Sequence, residues 1–353
     1  MNRRVSGILP AGKLRVSLLR RFLARLQHDA RDRRIVVGPG IGLDAAAIRF
    51  GNRLLIAKTD PITLVGEEIG AYALTINAND LATMGATPRW FLATILLPAG
   101  GTTAAQASHI FRELRATCRR LQVALVGGHT EVTDAVTRPV IVGCLLGECQ
   151  KGRLLTTAGA RVGDALLLTK GVPIEAVSIL AREQAPALRK RFSVEFIRRC
   201  RRFLENPGIG VLRDAAVALK AGGVHAMHDP TEGGLSAALY ELAEAAGVGL
   251  RVEEAAVPIL PEGARLCAEF RINPLGAIAS GALLISADPR HESGIKRALS
   301  RAGIRAVRIG TVTPAREGVR IVTQAGQLRL FPRFEVDEIA GLLAHGPAIR
   351  TRR

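Results

Sequence analysis

The amino-acid sequence predicts a two-domain protein of the α/β (α+β) class. Two observations carry this. The chain has 353 residues with 48% apolar content, a length and composition that suit two cores on the usual domain scale. Short apolar runs that end in glycine turns alternate with longer segments whose apolar positions recur at helical spacing.

Residues 14–26 place apolar side chains at helical spacing with arginines between them, an amphipathic helix packed on the body of the protein. A helix lying on a membrane surface would need the same apolar face. Strands follow at 34–37, 45–49 and 54–58, separated by a glycine-rich turn over 38–42 and by Gly51-Asn52. An alanine-rich helix over 66–84 stops at Gly85, with Pro88 just beyond. A strand at 90–97, a helix at 104–121 capped by Thr102 or Thr103, a buried strand at 123–126 closed by Gly127-Gly128 and a strand at 139–148 complete the first half. Residues 150–163 are polar and glycine-containing and read as the linker. Domains are therefore expected at 1–152 and 153–345, with 346–353 as a loose basic tail. The second half opens with a strand at 165–169 that runs through Lys170-Gly171 into a helix. Helices at 194–204, 211–221 and 233–246 follow, and strands and helices alternate to about residue 344.

Composition narrows the function. Cys118, Cys144, Cys149, Cys200 and Cys267 form no CxxC pair, which argues against a zinc knuckle or a disulfide framework and for a reducing, cytoplasmic setting. No export signal is read in the first dozen residues. The apolar region 69–100 is interrupted by Asn77, Asn79, Asp80, Pro88 and Arg89, too polar for a membrane span. A net charge of +18 suits a polyanion or a phosphorylated substrate. The arginines are spread from Arg3 to Arg353, however, and aromatics make up only 4%, so the basic groove with stacking rings of a single-strand binder is missing. Nucleic-acid binding is kept as a third reading, one that predicts retention falling steeply with salt.

Five segments can carry chemistry. In Gly38-Pro-Gly40-Ile-Gly42-Leu-Asp44, glycines let backbone amides approach an anion and the aspartate can take a divalent cation. No Gly-Lys-Ser/Thr follows, so this is no Walker A loop, and taken alone a plain β-turn accounts for it better. Lys58-Thr-Asp60-Pro-Ile-Thr63 lies where an apolar strand is expected to end, a place where loop carboxylates gather around ligands and also where Asp-Pro starts ordinary turns. Asn77-Ala-Asn79-Asp80 sets two amides and a carboxylate in an apolar helix, and burying them without partners would cost about 1 to 3 kcal/mol per group. Asp44, Asp60 and Asp80 together would make an all-oxygen site suited to Mg²⁺ bridging nucleotide phosphates. Gly127-Gly128-His129-Thr130-Glu131 offers an imidazole, a hydroxyl and a carboxylate after a buried strand, although lone histidines are commonly structural. His228-Asp229-Pro-Thr231-Glu232-Gly-Gly234 combines helix-start chemistry with an anion site on free amides.

Taken in order, these segments resemble the AIR synthase-related (PurM-like) superfamily, which also holds HypE, selenophosphate synthetase and thiamine-monophosphate kinase. Gly40-Ile-Gly-Leu-Asp44-Ala-Ala is similar to its Gly-x-Asp-Asp-Ala-Ala, Thr59-Asp60 to its Thr-Asp, and Asn79-Asp80-Leu-Ala-Thr-Met-Gly-Ala-Thr-Pro88 to its Asn-Asp-Leu-Ala-x-Met-Gly-Ala-x-Pro. Asp229-Pro-Thr-Glu232-Gly-Gly-Leu resembles the Asp-Pro-Thr-x-Gly-Gly-Leu of HypE, a likeness that Asn273-Pro-Leu, Ser280-Gly-Ala and Ile309-Gly-Thr-Val continue. The resemblance spans roughly residues 12–340. It implies an N-terminal mixed sheet that pairs with a second subunit into a dimer barrel, a C-terminal α/β sandwich domain, and ATP in the cleft with Mg²⁺ on Asp44, Asp60 and Asp80. It further implies nucleotide contacts at Gly40, Gly42, Asn79, Gly128, Thr130, Asp229 and Glu232.

Three departures bear on the reaction. No cysteine follows Cys267, so the C-terminal Pro-Arg-Ile-Cys acceptor of HypE and its thiocarbamate route are not expected. Gly128-His129-Thr130 stands nearer to selenophosphate synthetase, whose N-terminal Cys or Sec loop is nevertheless absent. Asp60-Pro-Ile-Thr replaces the Asp-Gly-Val-Gly-Thr-Lys of AIR synthase itself, and thiamine-monophosphate kinase lacks the Asp229 segment. The expectation is an ATP-dependent phosphoryl-transfer enzyme that activates an amide or carboxyl-type oxygen of a small or protein-bound substrate, with Lys58 and His129 as its catalytic side chains. The rival is a non-catalytic nucleotide-binding maturation or scaffold protein.

Overall fold

A computed structural model describes residues 12–14, 16–29 and 32–344, so the predicted tail at 346–353 lies outside the described residues. The first part of the chain runs α1 (Val16–Asp29), β1 (Ile35–Val37), β2 (Ala46–Phe50), β3 (Arg53–Ile62), α2 (Ile69–Thr83), β4 (Thr87–Pro98), α3 (Ala104–Leu121), β5 (Ala124–Thr133) and β6 (Val140–Gln150). Its six strands form one mixed sheet in the order β1-β2-β3-β6-β4-β5. Alternate residues of β6 are buried because one face of the sheet is covered by α2. That helix is buried nearly all round, since α3 packs on its far side. Thr103 and Gln106 close a capping box at the start of α3, which settles the choice between Thr102 and Thr103.

Two strands run further than their glycine and proline signals suggest. β3 continues past Lys58 to Ile62 because β6 pairs with it along its whole length, from Arg53↔Gln150 to Ile62↔Ile141. β2 reaches only Ala57, and beyond that point no described strand pairs with this edge, which tolerates Pro61, a residue with no N–H to donate. β5 likewise runs through Gly127 and Gly128 to Thr133, so these glycines do not close the strand. The register against β4 shifts there, with Phe91 opposite Leu125 but Leu92 opposite Gly127, a bulge that leaves Val126 extra. Gly128 has φ +146°, and a Cβ on it would lie 2.0 Å from the Ala93 carbonyl oxygen. Gly128→Ala is therefore expected to lower stability by about 2 kcal/mol or more, read as a fall in the thermal midpoint.

The second part comprises β7 (Ala165–Thr169), α4 (Ile174–Glu183), α5 (Ala185–Leu188), α6 (Val194–Arg201), α7 (Leu212–Ala221), β8 (Val224–His228), α8 (Gly234–Ala246), β9 (Gly249–Glu253), α9 (Pro261–Phe270), β10 (Leu284–Ala287), α10 (Glu292–Arg301), β11 (Ala306–Thr313), β12 (Val319–Val322), β13 (Leu328–Leu330) and α11 (Ala340–Ala344). Its seven strands are ordered β13-β12-β9-β11-β7-β10-β8. Every residue of β7 is buried because helices cover both faces. Leu166 and Leu168 join the core with Leu235 and Leu239 of α8, whereas Ala165 and Leu167 join Ala215 of α7 and Ile295 of α10.

The two sheets are joined through α2. Its Tyr72 hydroxyl donates to Ser178 Oγ of α4 at 2.8 Å, and both α2 and α4 lie in one continuous core. The helix predicted at residues 14–26 is α1, tied to α8 by Arg20 and Glu244. No described helix is long and apolar enough to cross a membrane.

Candidate active site

The site lies where β3, α2, the loop after β1 and the start of α8 converge. Lys58 and Asp60 are two residues apart on β3 and so share a face of the strand. The Lys58 ammonium is 3.3 Å from Asp60 Oδ2 and 3.4 Å from Asp80 Oδ2 of α2. The loop after β1 brings in Asp44, whose Oδ2 is 2.8 Å from the Thr83 hydroxyl and whose Oδ1 is 2.8 Å from His228 Nδ1. His228 and Asp229 leave the end of β8, and His228 Nε2 lies 2.8 Å from Glu241 Oε2 on α8. Lys13 closes the rim: its ammonium donates to Thr231 Oγ1 at 3.1 Å and its backbone N–H to Glu232 Oε2 at 3.1 Å.

Gly42 explains why the loop sits where it does. It has φ +69°, and a Cβ would lie 2.6 Å from the Glu241 carbonyl oxygen, so glycine lets the loop press onto α8. At Gly40 the atoms nearest to an added Cβ belong to the movable Leu43 side chain. Beside Asp44 a groove of about 440 Å³ opens between Val37, Gly38, Pro39 and Leu43 on one wall and Thr156 and Ala158 on the other.

The electrostatics are those of a crowded, buried acidic site. Burial, then the neighbouring Asp229, Asp60 and Asp44, push the Asp80 carboxyl well above its ordinary range against the pull of Lys58. Burial and Asp44 raise Asp229 to about 7. Burial opposes the charged forms of Lys58 and His228, yet the carboxylates around them prevail and raise both. Glu241 is held well below the carboxylate range: burial works against its charge, and Lys13 and His228 outweigh it. Both oxygens of Asp229 and Asp80 Oδ2 are buried without a hydrogen-bond partner, an arrangement that a cation or a donor-bearing ligand would relieve. The hard oxygen donors fit Mg²⁺.

The expected residues are not all brought together. Asp44, Asp60, Asp80, Lys58 and Asp229 surround one space, with Glu232 at its rim. The expected metal set is divided, since Lys58 stands between Asp60 and Asp80, while the ligand atoms that lie within 4.8 Å of one another belong to Asp44, His228 and Asp229. Asn79 is engaged elsewhere: its amide donates to Ile209 O and accepts from Val211 N–H, both at 2.8 Å, which joins α2 to the second sheet's domain. It serves the fold, and Asn79→Ala is expected to cost about 2–3 kcal/mol by leaving two buried backbone groups unpaired, measured by denaturant unfolding.

Gly128, His129 and Thr130 are on β5, which is separated from β3 by β6 and β4, about 14 Å at the usual strand spacing. The His129 imidazole is 66% exposed beside Glu131. Within one chain, therefore, the structure places the expected catalytic histidine and its neighbours outside the cluster. Conversely, His228, Glu241, Lys13 and Thr83 belong to it and were not singled out. His228 stood in a quoted motif without a role, and the step of 13 positions from it to Glu241 follows no simple periodicity.

Residues 42–149 match the N-terminal domain and residues 161–323 the C-terminal domain of AIR synthase related protein. The chain belongs to the AIR synthase related family. Carbamoyl dehydratase HypE of Rhodobacter capsulatus is 30% identical over 306 residues, covering 85% of each chain. Selenide, water dikinase of Bordetella bronchiseptica is 29% identical over 332 residues, 86% of this chain and 93% of the relative. These AIR synthase related relatives are named as enzymes. Among solved structures, Escherichia coli HypE superposes with a TM-score of 0.70 at 23% identity, covering 91% of this chain and 98% of that one. A HypE in complex with ATP gives 0.69 at 23% identity over 90% and 95%. At such identities the superpositions establish the shared fold.

Proposed function

We propose that the cleft binds ATP and transfers a phosphoryl group to an amide or carboxyl-type oxygen of its substrate. The observation that carries this reading is the ring of carboxylates around Lys58 beside a glycine-bearing loop, with both oxygens of Asp229 buried and without a hydrogen-bond partner. Lys58 would neutralise charge on the transferred phosphoryl group, and Lys13, half-exposed at the rim, would meet the incoming anion. Mg²⁺ held by Asp44, Asp60 and Asp80 would offset the negative charge of the phosphates. Gly40 and Gly42 would let loop amides come close to them. ATP binding that requires Mg²⁺, followed by phosphate release with a candidate oxygen acceptor, tests the reading; release of no phosphate with any acceptor would favour a non-catalytic nucleotide-binding protein.

A relative has been solved as a HypE–HypF complex, and a substrate presented by a protein partner is one class to screen beside free small molecules. We further propose a homodimer through β5. That strand is exposed along its length, pairs on one edge only among the described residues, and presents Leu125, Val126 and Val132 at 42%, 53% and 60% exposure, an apolar patch of the kind that marks an interface. Pairing there would set His129 and Thr130 at the dimer joint. Val132→Lys is expected to shift the protein from dimer to monomer in sedimentation equilibrium; a wild-type monomer would contradict the proposal.

A further inference from the structure

We propose that the exposed face of α3 binds single-stranded nucleic acid through its phosphate backbone. Arg112, Arg115 and Arg119 follow one another at steps of three and four residues, so they form one stripe on successive turns, about 10 Å long. The stripe lies opposite Ile110, Leu114, Thr117 and Cys118, which are buried. All three arginines are exposed, as is Arg120 on the flank. Among the described residues none of the four has a carboxylate partner. The one acid of α3, Glu113, is turned inward, where it accepts from the Gly70 N–H at 3.1 Å and meets His109 at 2.9 Å. Arg112 donates to the neutral Ser108 hydroxyl at 2.9 Å.

Other accounts of these arginines cover less. Basic residues in a last turn complement the helix dipole, which explains Arg119 and Arg120, but Arg115 and Arg112 stand one and two turns further back. A face that only keeps a protein soluble mixes both signs of charge. The arginines around α6 do so: Arg191 lies 3.6 Å from Glu269, and Arg198 and Arg202 lie 2.9 and 3.9 Å from Glu195. Such a paired arginine must give up its carboxylate to take a phosphate. Those of α3 give up none, and each phosphate they neutralise frees a counterion from the nucleic acid. Phe111, 44% exposed, borders the stripe one turn before Arg115. Its ring offers a surface on which an unpaired base can stack, which favours a single strand over a duplex or an acidic protein.

None of these residues belongs to the cleft, so the test is independent of the nucleotide reading. Fluorescein-labelled oligouridylate of about 20 nucleotides, long enough for a single-strand site, is titrated with the full chain between about 50 and 200 mM KCl and followed by anisotropy. Three phosphate contacts predict a slope of about −2 for log affinity against log salt. Arg112→Gln, Arg115→Gln and Arg119→Gln combined should weaken binding at least about tenfold at the lower salt and flatten the slope. Lysine at the same three positions should keep most of the affinity, because a phosphate accepts either cation. Removing three charges elsewhere, with Arg191→Gln, Arg198→Gln and Arg202→Gln, should leave the slope unchanged. Absence of binding by wild type at the lower salt, or equal losses in the two glutamine sets, would overturn the proposal. Labelled poly-L-glutamate bound more tightly than the oligonucleotide would overturn it too, and would assign the face to an acidic protein partner.

Discussion

Lys58→Met is expected to reduce ATP-dependent phosphate release by about 10²- to 10³-fold, the scale seen when one preorganised charge-stabilising group is removed. The same substitution strips the cation from Asp60 and Asp80, which lie 3.3 and 3.4 Å from it, and breaking a buried pair of this kind costs about 3 kcal/mol or more. The sign with pH follows from Asp80, whose carboxyl already sits well above its ordinary range. Without Lys58 the carboxylates repel one another most when all are ionised. The stability deficit should therefore be large at pH 8 and shrink towards pH 5 as protonation relieves the repulsion. Melting curves at the two pH values, run beside a coupled phosphate assay, check both halves. An equal deficit at both would mean that Lys58 acts by packing alone.

The second large effect concerns Glu175, at the start of α4, where burial raises the carboxyl to about 8 from an ordinary 4.5. Ser280 opposes the shift, while Asp337, Glu232 and Asp229 add to it. Below pH 4.5 the carboxyl is protonated whether the chain is folded or not, and no stability depends on it. Between pH 4.5 and 8 the unfolded chain releases the proton and the folded chain retains it, so wild-type stability falls as pH rises through that window. The loss amounts to about 1.4 kcal/mol for each pH unit of difference. Glu175→Gln keeps the shape of the neutral acid and removes this loss. The variant should melt several degrees above wild type at pH 8 and match it near pH 4.5. Coincident melting at pH 8 would show that Glu175 is ionised in the folded protein.

Much of this architecture was legible in the sequence because local signals and tertiary packing agree. The helix from Ala104 to Leu121 has a capping threonine, helical apolar spacing and basic residues in its last turn, and β7 is an uninterrupted apolar run because helices cover both its faces. Boundaries failed where a residue normally read as a breaker met an unusual sheet environment. Pro61 sits beyond the reach of β2, and Gly127-Gly128 marks a bulge inside β5 that Ala93 makes obligatory for glycine.

The candidate site divides in the same way. Asp44, Asp60, Asp80 and Lys58 stand out as polar groups in apolar or glycine-rich surroundings, and the fold gathers them. Asn79 carries the same signal for a different reason, since a buried amide is equally well satisfied by two backbone groups of a neighbouring domain. His228, Glu241 and Lys13 are joined only by tertiary geometry, across 13 residues in one case and more than 200 in the other, distances over which no periodicity survives.

The most direct test is calorimetric titration of the protein with ATP, with and without Mg²⁺, repeated on Asp60→Ala and Asp80→Ala. Binding that requires Mg²⁺ and that each substitution abolishes is the expected result. Wild-type protein that binds no ATP, or variants that bind it as tightly as wild type, would contradict a nucleotide site built on these carboxylates.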